Sequence, residues 1–228
     1  MKNIGYIIIA SAIASCTTGV SKIEVTNIGE LRQIMHQGQF QARVRLDSLI
    51  GEHVFGLGAL DSLSGEVIVL DDQVYSSRLE NETLVIDNSS QAEATLFVYS
   101  EVSKWDTLEV SNFTDIGELI SKRSKEARLE APFPFLLIGA PELLDYHVIN
   151  FNPEISDFSN HKEGAFTEAL SKIEVLILGF YATDAKGIYT HHDSDLHMHF
   201  IDVTEERMGH IDDIVTGTGS FNLLIPKQ

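Results

Sequence analysis

The sequence predicts an α/β protein of the mixed α+β kind, made of two β-sheet-based lobes with few helices. Three observations carry this. Residues 40–100 are short apolar runs broken by Ser, Gly, Asp and Asn, the texture of antiparallel strands joined by tight turns. Ala131-Pro132-Phe133-Pro134 ends a helical stretch, and the pattern beyond it is again strand-like. Helical spacing with terminal caps is confined to stretches near residues 27–37 and 114–128. The 228 residues then divide into a signal segment 1–15, a tether 16–22, an N-terminal β-rich lobe 23–130 and a C-terminal β-rich lobe 131–228.

The first residues are a basic start, a short apolar stretch and small residues before a cysteine. That is the layout of a secretion signal, too short to cross a bilayer and remain. Ile13-Ala14-Ser15-Cys16 resembles the bacterial lipobox, which implies cleavage before Cys16 and acylation of that residue. Cys16 is the only cysteine in the chain, so no internal disulfide is available. The expected location is the bacterial cell envelope, lipid-anchored on the periplasmic or extracellular side. A net charge of −18, from 34 acidic and 16 basic residues, excludes nucleic acid and electrostatic attachment to anionic lipid as partners. Membrane contact is left to the acyl chains alone.

From Asn27, with Glu30 three positions on, apolar residues at 28, 31, 34 and 35 follow helical spacing, and Gly38 ends the helix. His36 is expected at its exposed end. Strands are expected at 54–60, 65–70, 74–79, 83–87 and 94–99, as a β-meander. Glu66 follows Gly65 at the start of one of them. Glycine there lets another backbone come close, and the position alone reads as an exposed strand-end acid. A second helix, capped by Thr114, runs to Arg128 with basic residues in its later turns, where they complement the helix dipole. After the prolines, 135–139 and 144–151 read as strands. Asp145, His147, Ile149 and Phe151 share one face of the latter, so His147 looks into a site or sits at a strand edge. Residues 164–171 read as a short helical turn, 173–181 as an interior strand, and 220–225 as the last strand.

Residues 187–214 hold five of the nine histidines. His197 and His199, two apart in an alternating run, project from one face of a strand. The polar turn Thr204-Glu205-Glu206 leads to a second apolar run from His210, which returns antiparallel and brings a third imidazole beside the first two. Three neutral nitrogens with an open fourth position suit a catalytic zinc ion, Zn2+, better than a structural one, which is usually closed by four ligands and rich in Cys. His191 and His192 read as polar residues of the loop entering the strand. A cupin would need a Gly six residues before its His-x-His and a downstream Pro-x-Gly-x-x-His box, and neither is present.

Three blocks together resemble the alpha-acetolactate decarboxylase family over most of the chain past the signal. Gly56-Leu-Gly-Ala-Leu-Asp-Ser-Leu-Ser-Gly-Glu66 is similar to the family's Gly-Leu-Gly-Thr-Phe-Asp-x-Leu-Asp-Gly-Glu block. His197-Met198-His199-Phe200 is similar to its His-Leu-His-Phe, and Gly209-His210-Ile211-Asp212-Asp213 has a His at the family's spacing. The resemblance implies a carboxy-lyase that converts 2-acetolactate to acetoin and carbon dioxide, with zinc on His197, His199 and His210 in the C-terminal lobe. It implies that Glu66, on the family's active-site glutamate, protonates the enediolate left by decarboxylation. The family has an arginine in an Arg-x-Val-Pro segment; here Leu144-Asp-Tyr-His-Val-Ile-Asn150 stands there, with His147 at roughly the arginine's place. The family's C-terminal-tail glutamate has no counterpart before Gln228. The implied partner is a small-molecule 2-hydroxy-3-oxo acid, and a homodimer is left open. Two further readings stand beside this one: the same metal chemistry on another 2-hydroxy-3-oxo acid, because histidine is a weaker anchor than arginine, and a non-catalytic lipoprotein that binds a metal or small ligand.

Overall fold

The computed structural model describes residues 21–152, 164–191 and 193–227. The signal segment, Cys16, most of the tether and His192 lie outside the described residues.

The first half runs β1 Ser21–Lys22, β2 Thr26–Ile28, α1 Leu31–Gln37, β3 Val44–Arg45, β4 Val54–Leu60, β5 Gly65–Leu70, β6 Gln73–Glu80, β7 Thr83–Asp87 and β8 Glu93–Glu101. The second runs β9 Trp105–Ser111, α2 Ile116–Ala127, β10 Leu129–Glu130, β11 Phe133–Gly139, β12 Leu143–Val148, β13 Phe166–Leu170, β14 Val175–Tyr181, β15 Leu196–Asp202, β16 Met208–Val215 and β17 Ser220–Pro226. Two antiparallel sheets result. The seven-stranded sheet has the order β2-β8-β4-β5-β6-β7, with β3 also on β8; the eight-stranded sheet has the order β13-β12-β16-β15-β14-β11-β17-β9. β1, at the end of the expected tether, pairs parallel with β10. The chain changes sheets between β8 and β9, so the eight-stranded sheet includes β9 from before the proline break.

The alternating strands predicted over 54–99 are present as β4 to β8, the first four as a meander and β8 returning beside β4. Period-2 burial sends alternate residues to opposite faces, and this sorts the apolar residues into layers. Leu57, Ala59, Ile68, Leu96 and Val98 of one sheet meet Leu136, Leu178, Phe180 and Ile201 of the other in a shared core. Behind the eight-stranded sheet, Phe133, Phe135, Leu137 and Phe200 pack with Ile116 and Ile120 of α2. Val67, Val69, Val74 and Phe97 form a smaller cluster behind the seven-stranded sheet. Strand β14 lies in the interior of its sheet, as its unbroken apolar run predicts.

Three local expectations are corrected. Helix α1 begins at Leu31 and not after Asn27, because residues 26–28 pair with β8 and Gly29, at φ 79°, turns the chain before Glu30 becomes the cap. Its first backbone donors are satisfied by the loop between β14 and β15: Leu31 N–H donates to Ile188 O at 2.7 Å and Arg32 N–H to Gly187 O at 3.0 Å. Helix α2 is capped by Asp115 and not Thr114; the carboxylate accepts from Glu118 N–H at 2.9 Å. The expected helical turn at 164–171 is strand β13, because pairing along β12 outweighs a weak local helical pattern.

Candidate metal centre

The eight-stranded sheet's ladder lines up the rings. His147 on β12 is the direct cross-strand partner of His210 on β16, and His210 is that of His199 on β15. Directly paired residues point to the same face, so these three form a row across adjacent strands, with His197 two residues from His199 on that face. Ring centroids are 4.9 Å apart for His147–His210, 5.3 Å for His199–His210, 5.1 Å for His197–His210 and 5.0 Å for His197–His199. One ligand atom from each of His197, His199 and His210 lies within 4.8 Å of the others. Gly209, on the face opposite to His210, lets β12 pack closely against β16. A Cβ there would stand 2.6 Å from the His147 carbonyl oxygen and 2.5 Å from the Tyr146 ring.

Hydrogen bonding aims the nitrogens. His199 Nδ1 donates to the Val67 carbonyl at 3.0 Å, which fixes the ring's tautomer and leaves Nε2 as a lone pair. That Nε2 is buried and has no hydrogen-bond partner, and neither has the buried Nδ1 of His197. Two orphaned buried nitrogens are costly in an apolar setting unless a further group satisfies them. Burial is the first cause of the low basicity of both rings. His197 is held down to about 3 by burial and then by the neighbouring His147, the Tyr189 backbone opposing. His199 lies well below the usual imidazole range through burial and then His197. Both rings therefore stay neutral, the form in which imidazole binds a metal.

The facing sheet contributes Glu66, 4% exposed. The reading of position 66 as an exposed strand-end acid is overturned: strand β5 turns this side chain into the space between the sheets. Gly65 allows the close approach expected of it, since a Cβ there would stand 2.1 Å from the Ser77 carbonyl oxygen. Glu66 Oε1 accepts from Ile149 N–H at 3.1 Å, and Oε2 lies 3.5 Å from His199 Nε2. Burial pushes this carboxyl up to about 8; the Ile149 hydrogen bond opposes the shift and the Asp212 charge adds to it.

His147 looks into the site and is not at a solvent-facing edge. Its Nε2 is 3.9 Å from Glu66 Oε1, and its Nδ1 is 2.9 Å from Asp212 Oδ2. Asp212 had no role in the sequence reading beyond its place in the Gly209-to-Asp213 block. Its nearness to His210 was the available signal. Glu66, His147, His197, His210 and Asp212 line a pocket of about 400 Å³ whose apolar walls include Leu31 and Met35 of α1, Leu63, Leu96 and Tyr189. His191 also lines it, paired with Asp193 at the loop before β15.

Fold and site define a two-sheet β protein with three convergent imidazoles able to hold a metal ion beside a buried carboxyl. The family model for alpha-acetolactate decarboxylase matches residues 27–226, and the chain belongs to that family. Among solved structures it is similar to alpha-acetolactate decarboxylase from Bacillus subtilis strain 168, at 18% identity and a TM-score of 0.71, covering 91% of this chain and 86% of that one. It is similar to acetolactate decarboxylase from Bacillus subtilis subspecies spizizenii at 18% identity and a TM-score of 0.68, covering 90% and 86%. A Staphylococcus aureus protein of unknown function, described as similar to alpha-acetolactate decarboxylase, matches at 17% identity and a TM-score of 0.66, covering 88% and 85%. Comparison with curated protein sequences gives no match.

Proposed function

We propose that the protein is a zinc-dependent decarboxylase that converts 2-acetolactate to acetoin and carbon dioxide. The observation that carries this is the convergence of His197, His199 and His210 with Glu66 from the opposite sheet, 3.5 Å from the orphaned Nε2 of His199. His197, His199 and His210 would hold the ion through neutral nitrogens. Zinc there supplies Lewis-acid stabilisation of the charge that develops on the substrate's oxygens as the carboxylate leaves. Glu66, enclosed by the facing sheet and held through Ile149, delivers a proton to the carbon that has lost carbon dioxide. His147, at the place of the family's arginine, orients the substrate from the neighbouring strand. The apolar walls exclude water from the reacting carbon.

The test combines metal analysis of the purified protein with an acetoin assay on racemic acetolactate. The expected result is about one zinc per chain and acetoin release that stops on chelation. Zinc fully bound with no acetoin rejects the assignment.

A second reading keeps the metal site and changes the substrate to another 2-hydroxy-3-oxo acid. Its support is that no lysine or arginine is among the described residues lining the pocket, so a substrate carboxylate meets no permanent cation there. From Ile13-Ala14-Ser15-Cys16 we also infer lipid anchorage in the bacterial envelope. Cys16→Ser should release the protein from membranes and abolish fatty-acid labelling; a wild type that takes no label removes this reading.

A further inference from the structure

The structure assigns Asp212 as a positioning residue that holds the His147 imidazole so that Nε2, and not Nδ1, is presented to Glu66. Its catalytic consequence rests on the decarboxylase reading; its geometric basis does not.

The placement depends on a β-bulge. Strand β16 pairs with β12 as His210 with His147, Ile211 with Tyr146 and then Asp213 with Asp145, so Asp212 has no partner in the ladder. In an unbroken register from His147 and His210, Asp212 would stand directly opposite Asp145, the place that the bulge gives to Asp213 instead. A bulge re-aims a side chain in this way, and bulges concentrate beside functional sites. Freed from the ladder, Asp212 places Oδ2 2.9 Å from His147 Nδ1.

A carboxylate accepts and does not donate, so the hydrogen of a neutral His147 ring resides on Nδ1. Nε2 then carries the lone pair, 3.9 Å from Glu66 Oε1. The line runs inward from Asp212, whose side chain is 28% exposed, through His147 at 7% to Glu66 at 5%. An arginine would bring a fixed charge and five donors to this place. An imidazole offers one nitrogen inward, and which nitrogen it offers depends on the group behind it. Asp212 is therefore the residue that gives His147 a defined orientation in the pocket.

The test uses the zinc-loaded protein with 15N-labelled histidine, the His147 signals being assigned from the His147→Ala spectrum. The wild type should show His147 as the single Nδ1–H tautomer. Asp212→Ala and the near-isosteric Asp212→Asn should both lose that pattern at unchanged zinc content, and Asp212→Glu should restore it in part. Turnover should fall by about 10–100-fold in Asp212→Ala, the range for partners that orient a site's imidazoles. The double variant His147→Ala/Asp212→Ala should be no slower than His147→Ala alone, because Asp212 acts through the ring. An unchanged His147 tautomer in both Asp212→Ala and Asp212→Asn overturns the assignment, as does a double variant slower by the full Asp212 factor. A wild type that makes no acetoin defeats the decarboxylase reading, while the nitrogen spectra still decide the role of Asp212.

Discussion

The eight-stranded sheet brings His147, His197 and His210 to the pocket, with His199 buried beside them, and the seven-stranded sheet brings one carboxyl, although both reach it from the same apolar interface. The imidazoles are spaced by backbone ladders: His147, His210 and His199 are successive cross-strand partners. The carboxyl is spaced by side-chain packing between sheets, with one hydrogen bond from Ile149 and one from His199 to Val67 crossing the gap. Metal binding should therefore tolerate a loosened interface that proton delivery does not, since a small misplacement at the reacting centre is costly to rate.

Removing a ligand tests the eight-stranded side with the largest expected effect. His197→Ala, His199→Ala or His210→Ala should lose most of the zinc by elemental analysis and all measurable acetoin release, because an open three-nitrogen site cannot spare a ligand. His191→Ala is the control and should keep its metal. Full zinc retention by His210→Ala would sink the proposed ligand set.

Glu66→Gln tests the other side. Zinc content and thermal midpoint should hold while turnover falls by at least ~100-fold, the scale of general acid–base contributions. If zinc leaves together with activity, the two sheets are not dividing the work as described.

Ile68→Ala, at a position with 0% exposure in the shared core, sharpens the comparison. It should cost about 2–5 kcal/mol of stability by chemical denaturation. Turnover should drop at full zinc occupancy, and a proportional loss of both would show that the interface also spaces the ligands. The smallest effect is expected behind the eight-stranded sheet, where Asp115→Ala should remove a helix cap worth about 1 kcal/mol. Zinc content and the rate per bound zinc should stay at wild-type values.

Legibility in the sequence follows the same division. Strands β4 to β8 were readable to within two residues because Asp71-Asp72 and Glu80-Asn81-Glu82 punctuate alternating runs. The spacing of His197, His199 and His210 was readable because one hairpin carries all three. Glu66 was not readable from position alone, since its burial comes from strands more than eighty residues away along the chain. Only the family resemblance pointed to it. Asp212 shares His210's face by the period of two, but nothing in the sequence signalled that β12 would lay His147 beside it, since the two lie 65 residues apart. Strand β13 was misread because its partner β12 decides its conformation, not its own pattern.

The three candidate ligands lie on β15 and β16, neighbours in sequence joined by the turn after Asp202, whose carboxylate accepts from Glu206 N–H at 2.9 Å and Arg207 N–H at 3.0 Å. A hairpin of this kind closes through local contacts, which carry little loop-closure entropy, whereas Glu66 joins only when two sheets dock. On that ground the nitrogens should come together before the carboxyl joins them, an order that pulse-labelled hydrogen exchange during refolding would read. An ion captured by the hairpin would stabilise a piece of the eight-stranded sheet before the pocket is complete, so metal uptake should precede acetoin release when refolding is followed with zinc present.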